Sequence, residues 1–168
     1  RIYVALHAYA ERADSGGYQR RLFAEDAARG FAFIDLCRKR YDVVVMNPPY
    51  GDPSNGTREY IEICFPLSKY DLYSCFVDCF CEKLLGGGAL GALTSRTGFL
   101  LNRLRGWRLK VAVSDGRHLE AFADLGYGVL DSAMVQTAAY VIRKSFQSGH
   151  SVFRDLRSLA HAEKEQHL

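Results

Sequence analysis

The chain lacks the features that would place it in a membrane, secreted or disulfide-rich class. No apolar run in its 168 residues approaches the length of a membrane span, and no signal peptide is visible. Its five cysteines are odd in number and irregularly spaced, which favours reduced thiols over a disulfide framework. We therefore expect a cytoplasmic protein that does not enter a membrane.

The chain also has only a small excess of positive over negative charge. The formal net charge is +3, which permits a nucleic-acid partner but does not require one. A hydrophobic content of 48% and a charged content of 24% are ordinary for a globular domain that can bury a core. Because the chain starts at Arg1 and runs at once into an apolar-periodic segment, we expect a fragment of a larger protein.

Signatures of hydrolytic and metal chemistry are missing as well. The five histidines are scattered, and there is no Ser-His-Asp order or nucleophile elbow. Cys75 and Cys79 would share a helix face, with Cys81 nearby, but no second ligand pair stands at zinc-finger spacing. Core packing is the better interpretation of these thiols, so we predict no metal site.

The most informative feature present is Asn47-Pro48-Pro49-Tyr50, directly after the apolar run Tyr41 to Met46. The run predicts a parallel strand covered on both faces. The two prolines fix two φ angles, remove two backbone donors and hold the preceding residues in extended geometry. A stiff loop of this kind presents carbonyl acceptors, the Asn47 amide and an aromatic ring, which suits a planar group with an NH2 donor.

The segments before this loop are less regular. Apolar residues at helical spacing predict a helix over the first dozen residues, and Tyr18 to Glu25 could be a strand that ends at Asp26. Ala27 to Arg40 is either a short helix or a loop. These patterns place Asp26 at a second candidate strand end.

The segments after the loop alternate between helix and strand patterns. Ser68-x-x-Asp71 is a capping-box pattern that predicts a helix whose buried face carries Leu72, Phe76, Cys79, Phe80 and Leu84. Gly86-Gly87-Gly88 should stop this helix before a strand. The later predictions are a strand at Ala89 to Thr94, a helix at about Phe99 to Val113, strands at Leu119 to Leu125 and Thr137 to Ile142, and a last amphipathic helix with Val152, Phe153, Leu156, Leu159 and Ala160 inward.

Alternating strands and helices predict an open α/β sheet. Ligands of such sheets bind outside the carboxyl ends of the strands. The segment from Asn47 to Tyr50 lies at such an end, as do Thr94 and Ser95. Asp26 does so as well if its strand is present.

The arginines and lysine at 103, 105, 108 and 110 follow a strand end and either touch phosphates or form a solvated helix face. We expect Trp107 to be packed in the core.

The chain resembles the C-terminal two-thirds of the catalytic domain of class I S-adenosylmethionine-dependent methyltransferases, and most of all the N-6 adenine-specific DNA methyltransferases. The resemblance covers about residues 1 to 145. It rests on the strand and Asn-Pro-Pro-Tyr loop at 41–50, on Asp71-Leu72-Tyr73-x-x-Phe76, on Leu84-Leu85-Gly86-Gly87-Gly88, on Asp124-Leu125-Gly126 and on the segment 133–144. The later segments point to large bacterial enzymes of restriction-modification or phage defence, including the BREX-like methyltransferases.

The resemblance implies a Rossmann-like sheet with helices on both faces and a terminal antiparallel hairpin. It also implies a catalytic segment made of Asn47, Pro48, Pro49 and Tyr50. Asn47 and the Pro48 carbonyl would accept hydrogen bonds from the exocyclic amino group of adenine, and Tyr50 would stack on the flipped base. Asp26 matches the family position that contacts the adenine of S-adenosylmethionine, with Asp35 as a competitor for that role.

Some family features are missing from these 168 residues. The glycine-rich loop that cradles the methionine part of the cofactor is absent, as is the acidic residue that binds its ribose. We therefore expect a partial catalytic domain at 1–145 and a linker with a helix at 146–168. The fragment alone should be inactive and should bind S-adenosylmethionine poorly in a calorimetric titration.

Other functions remain open at this point. Protein-glutamine and RNA-base methyltransferases use a similar loop, because glutamine and guanine also carry amino groups. The chain could also be a non-catalytic remnant or an interaction module. The expected partners are DNA with a flipped adenine and, in a defence system, other subunits.

Overall fold

The computed structural model describes residues 26, 29, 30, 34, 38–114, 116–130, 135–145, 149–160, 163, 164 and 166. The chain divides into two compact units, Arg1–Arg40 and Tyr41–Leu168. In the first unit every described residue from 26 to 38 is helical. The helix predicted over the first dozen residues and the strand predicted at Tyr18 to Glu25 lie outside the described residues.

The second unit is built on a mixed sheet of five strands in the order β1-β2-β4-β3-β5. The strands are β1 Tyr41–Met46, β2 Leu84–Ser95, β3 Arg117–Gly126, β4 Thr137–Lys144 and β5 Val152–Asp155. Pairings β1–β2 and β3–β5 are parallel, whereas β4 runs antiparallel to both β2 and β3. The predicted α/β class and the predicted antiparallel hairpin are therefore confirmed. β1, β2, β3 and β5 end at the same edge of the sheet.

Strand β1 is confirmed, but within the described part of the chain only one of its faces is covered. It pairs with β2 through Val44 opposite Leu90 and Met46 opposite Ala92. Val43 is 65% exposed and Val45 is 82% exposed. Side chains alternate across a strand, so the buried face of β1 carries Val44 and Met46 and the other face is open.

The sequence pattern suggested that the three glycines near the start of β2 stop a helix, and this prediction is wrong. They belong to β2 itself and form a bulge, because Tyr41 pairs with Leu84 whereas Val43 already pairs with Ala89. Gly87 has φ +84°, in the region that favours glycine. A Cβ atom on Gly88 would lie 2.9 Å from the Asp42 carbonyl oxygen, so this close approach of β1 to β2 requires glycine.

Between residues 41 and 114, the helices are α1 Asn55–Cys64, α2 Leu72–Glu82, α3 Thr97–Leu100 and α4 Arg105–Ala112, with a short 3-10 turn at Asn102–Leu104. Helices α2 and α4 bury one face of the sheet. The core they form contains Tyr73, Val77, Cys81, Leu84, Leu90, Ala92, Leu104, Trp107, Val111, Ala112, Tyr140 and Ile142. The single helix predicted at Phe99 to Val113 is divided, because Leu101 has extended backbone angles.

The buried face predicted for α2 is wrong, because a neighbouring set of residues around the helix faces the core. Tyr73, Val77 and Cys81 are fully buried, whereas Phe76 is 41% exposed. Asp71, rather than Ser68, is the N-cap residue. Ser68 is itself buried, and its hydroxyl donates to Asp78 Oδ2 at 2.6 Å. The capping-box interpretation therefore placed the helix start incorrectly.

The last predicted helix is also wrong at its start, where Val152–Asp155 forms strand β5. Ala121 pairs with Val152 and Asp124 with Asp155. The strand continues into a bond from the Leu156 amide to the Asp124 carbonyl at 2.9 Å. The predicted domain boundary between residues 145 and 146 stays a prediction. Within the described ranges, no helix has the length and apolar character of a membrane span.

Candidate active site at the carboxyl end of β1

Asn47-Pro48-Pro49-Tyr50 begins where β1 ends, at the edge of the sheet predicted from the sequence. The four residues differ in their surroundings. Asn47 and Pro49 are exposed, Pro48 is buried, and Tyr50 is half-buried. The loop therefore presents its amide to solvent while one proline and part of the tyrosine ring anchor it to the domain.

Asn47 lies beside an open groove on the sheet face opposite α2. The groove has a volume of about 750 Å³ and is lined by Asn47 and by small or apolar strand residues that include Gly91, Leu93, Ala121 and Ala139. Tyr50 is half-buried, and the covered part of its ring packs against the core.

Tyr50 is positioned by contacts from β2 and α2. Its hydroxyl donates to the Leu93 carbonyl at 3.5 Å, and its ring centroid lies 6.0 Å from that of Tyr73. Burial, with a smaller effect of the Asp71 carboxylate, raises the pKa of Tyr50 above its usual value. The hydroxyl is therefore neutral at physiological pH.

Asp71 fixes the residue that follows Tyr50. Its Oδ1 accepts a hydrogen bond from the Gly51 amide at 2.9 Å, and the Leu72 amide donates to the Gly51 carbonyl at 2.9 Å. Burial raises the pKa of Asp71, and the bond from Gly51 partly offsets that effect. Both backbone groups of Gly51 are thus held by the start of α2. Sequence reasoning noted Asp71 in a capping box and in the family resemblance but missed this bond, for which an acidic residue before a helix was the available signal.

Tyr73 forms the floor beneath this region. It is fully buried, its ring meets Trp107 edge to face at 6.1 Å, and its hydroxyl lies 3.5 Å from Thr97 Oγ1. Burial raises the pKa of Tyr73 to about 12. Thr97 also shares a hydrogen bond of 2.7 Å with Ser95 Oγ. The start of α2 is therefore linked to the carboxyl end of β2 through hydroxyl groups.

Several other predicted residues are engaged in the fold. Thr94 is buried, and its hydroxyl donates to the Tyr140 hydroxyl at 3.3 Å. Trp107 is packed as predicted, and its Nε1 donates to the Ser74 carbonyl at 3.0 Å. Cys75 and Cys81 are buried, and Cys75 Sγ donates to the Ser68 carbonyl at 3.2 Å, in keeping with the packing interpretation.

An ion pair at the carboxyl ends of β2 and β3 was not found from the sequence. Arg96 Nη1 lies 2.6 Å from Asp124 Oδ2, and Arg157 Nε lies 3.6 Å from the same oxygen. These residues are far apart in sequence, and only the strand order brings them together. They tie β5 to the same sheet edge as the Asn47 loop.

Asp26 does not occupy the strand end predicted for it. It is helical, and its side chain is 75% exposed and lies 3.9 Å from Arg29. It belongs to the first compact unit, whereas Asn47 belongs to the second. Asp35 lies outside the described residues. The assignment of Asp26 to the cofactor stays a prediction that the local conformation does not support.

The fold and the site together define a class. A protein from Listeria monocytogenes described as a class I S-adenosylmethionine-dependent methyltransferase matches with a TM-score of 0.58 at 16% identity, over 76% of this chain and 40% of that one. The DrdV chain in a DrdV–DNA complex also gives 0.58 at 16% identity, over 89% of this chain and 17% of that one. These likenesses show a class I methyltransferase fold.

The sequence comparisons identify the family within that class. The model of the Eco57I restriction-modification methylase family matches residues 8–129, and the chain belongs to this family. The adenine-specific methyltransferase BrxX of Escherichia coli O9:H4 (strain HS) is 32% identical over 158 aligned residues, covering 84% of this chain and 12% of that protein. The chain thus spans about an eighth of that curated relative.

Proposed function

We propose that the chain is the base-binding part of an S-adenosylmethionine-dependent methyltransferase that modifies the exocyclic amino group of adenine in DNA. The observation that carries this proposal is the Asn-Pro-Pro-Tyr loop at the carboxyl end of β1, in a chain of the Eco57I methylase family. Its place of action would be the cytoplasm, in a restriction-modification or phage-defence system with further subunits.

The chemistry requires acceptors aimed at an amine. The lone pair of an aryl amine is delocalised into the ring, so the nitrogen is a poor nucleophile. Asn47 Oδ1 and the Pro48 carbonyl would accept hydrogen bonds from the two N–H groups of the amine. They would thereby stabilise the positive charge that develops on its nitrogen. Each acceptor would stabilise the transition state by about 2.7–4 kcal/mol if its effect is as large as that of a hydrogen-bond donor in an oxyanion site.

Tyr50 would support the base itself. A flipped base loses its stacking in the duplex, and an aromatic ring offsets that loss by about 1–3 kcal/mol. The ring contact with Tyr73, at a centroid distance of 6.0 Å, supports the ring of Tyr50. Asp71 acts through Gly51 and is a positioning residue for this loop.

The residues that hold the methyl donor are not assigned within the described part of the chain, where Asp26 is an exposed helical residue. S-adenosylmethionine would supply the methyl group in the full-length enzyme. The residues of this chain would act on the amine.

The experiment that tests the function compares DNA from cells with and without the intact gene by methylome sequencing. We expect N6-methyladenine at one sequence motif only in cells that carry the gene. Transfer of labelled methyl groups by the full-length protein to DNA, RNA and a glutamine-containing peptide distinguishes the alternatives. Labelling of RNA or peptide without DNA would contradict the proposal, and no labelling of any substrate would favour a non-catalytic role.

A further inference from the structure

The cations that follow β2 do not form one uniform basic face. Arg108 Nη1 donates to the Gly98 and Leu101 carbonyls, both at 2.7 Å. Lys110 Nζ lies 2.7 Å from Asp78 Oδ1. These two residues stabilise the fold, whereas Arg103 and Arg105 are exposed. The structure thus divides the run into structural cations and surface cations.

Arg103 belongs to a cluster with residues from the start of α2. Its Cζ lies 6.0 Å from the ring centroid of Tyr70, and Lys69 Nζ lies 5.9 Å from the same centroid. Tyr70 is 38% exposed, and the side chain of Lys69 is 33% exposed. We call Lys69, Tyr70 and Arg103 the Tyr70 patch. Two cations near an exposed ring provide charge, donors and a flat surface together.

The Tyr70 patch is joined to the candidate active site through the backbone. Tyr70 immediately precedes Asp71, whose carboxylate holds the Gly51 amide at 2.9 Å. Gly51 in turn follows Tyr50. The patch therefore lies at the carboxyl edge of the sheet, beside the loop that would hold the target base.

Two acidic residues, Glu62 and Asp71, lie near the patch. Glu62 lies 3.9 Å from Lys69 Nζ and is about half exposed, and exposed pairs at this distance contribute little free energy. The Asp71 carboxylate accepts a hydrogen bond from Gly51 and also attracts the Arg103 guanidinium. Within the described part of the chain, Arg103 lies near the Tyr70 ring without a close ion pair to a carboxylate. An incoming phosphate would compete with Glu62 for Lys69 and with Asp71 for Arg103.

We propose that the Tyr70 patch binds backbone phosphates of the DNA strand next to the target adenine. The inference rests on the proposed function, because it takes the substrate to be DNA. Arg, Lys and Tyr side chains are common phosphate contacts, and such contacts set register and orientation without reading sequence. The patch would hold the strand while the base occupies the loop at Asn47.

The test measures DNA binding by the full-length protein as a function of salt concentration. The variants are Arg103→Ala and Lys69→Ala, with Lys83→Ala as a matched control at the opposite edge of the sheet, where the Lys83 carbonyl binds the Tyr41 amide. Removing one phosphate-binding cation should lower the slope of log K against log salt by about one, equally on specific and non-specific DNA. If the slope of log K against log salt for both patch variants equals that of Lys83→Ala, the proposal is overturned.

Methylation assays separate this inference from the proposed function. At saturating DNA, the two patch variants should keep kcat within about twofold of wild type, because phosphate contacts that act only in binding do not change the chemical step. A wild-type protein that binds DNA through the patch but methylates no adenine would refute the proposed function alone. Variants that lose affinity for RNA but not for DNA would refute the choice of DNA.

Discussion

At the scale of single residues, Tyr50 shows what the sequence could and could not reveal. Its place after two prolines at a strand end was predictable from local stiffness and from the apolar run before it. Its environment was not predictable, because the contacts with Leu93 and Tyr73 join residues distant in sequence. Asp26 shows the opposite outcome, since a local strand pattern placed it where the structure has a helix.

Substitutions of Tyr50 should separate its ring from its hydroxyl. Tyr50→Phe should change kcat/KM by about twofold at most, because the bond to Leu93 is long at 3.5 Å. Tyr50→Leu keeps bulk against the core but removes the flat face. The loss of about 1–3 kcal/mol of stacking free energy should lower kcat/KM roughly 5-fold to 150-fold. Steady-state methylation and 2-aminopurine fluorescence at the target position measure both effects.

The control for this pair is Tyr60→Leu, which removes a tyrosine that is 65% exposed on α1. It should leave kcat/KM and the fluorescence unchanged. Full activity in Tyr50→Leu would show that the ring does not support the base.

At the scale of elements, local pattern located most strands but misjudged their surroundings. The valines of β1 and the apolar segments of β3 and β4 were sufficient to identify these strands. The glycine bulge of β2 looked like a helix stop, because the approach of Asp42 to Gly88 is a contact between strands. The adjacent apolar residues Val152 and Phe153 of β5 were assigned to a helix, because pairing with β3 is invisible to periodicity.

The link between α2 and the candidate loop gives a prediction at this scale. Asp71→Ala should free the Gly51 amide, so hydrogen exchange of residues 47–52 should accelerate. The kcat should fall, while KM for S-adenosylmethionine should not change. Asp71→Asn retains a side-chain oxygen and should restore most of both properties.

Hydrogen-exchange mass spectrometry and steady-state kinetics on the full-length protein measure these effects. Asp52→Ala, which changes a neighbouring exposed carboxylate, serves as the control. Unchanged exchange and kcat in Asp71→Ala would mean that the Gly51 contacts do not position the loop.

At the scale of the whole molecule, the chain contains a sheet of the class I methyltransferase fold, with the Asn47 loop at its carboxyl edge. Sequence motifs were sufficient to identify the family, which the match over residues 8–129 confirms. Poor binding of S-adenosylmethionine by the isolated chain stays a prediction. The separation of structural cations from the Tyr70 patch could not be predicted from the sequence, because Arg108 and Lys110 are engaged by partners from other segments.

The most direct test of the central claim is the rate of adenine methylation by the full-length protein carrying Asn47→Ala, compared with Asn55→Ala in exposed α1. Loss of one acceptor should lower kcat by about 10²–10³-fold with the circular dichroism spectrum unchanged. Asn55→Ala should stay within about twofold of wild type, as is usual for a surface substitution. A kcat for Asn47→Ala equal to that of Asn55→Ala would contradict the assignment of this loop to the amino group.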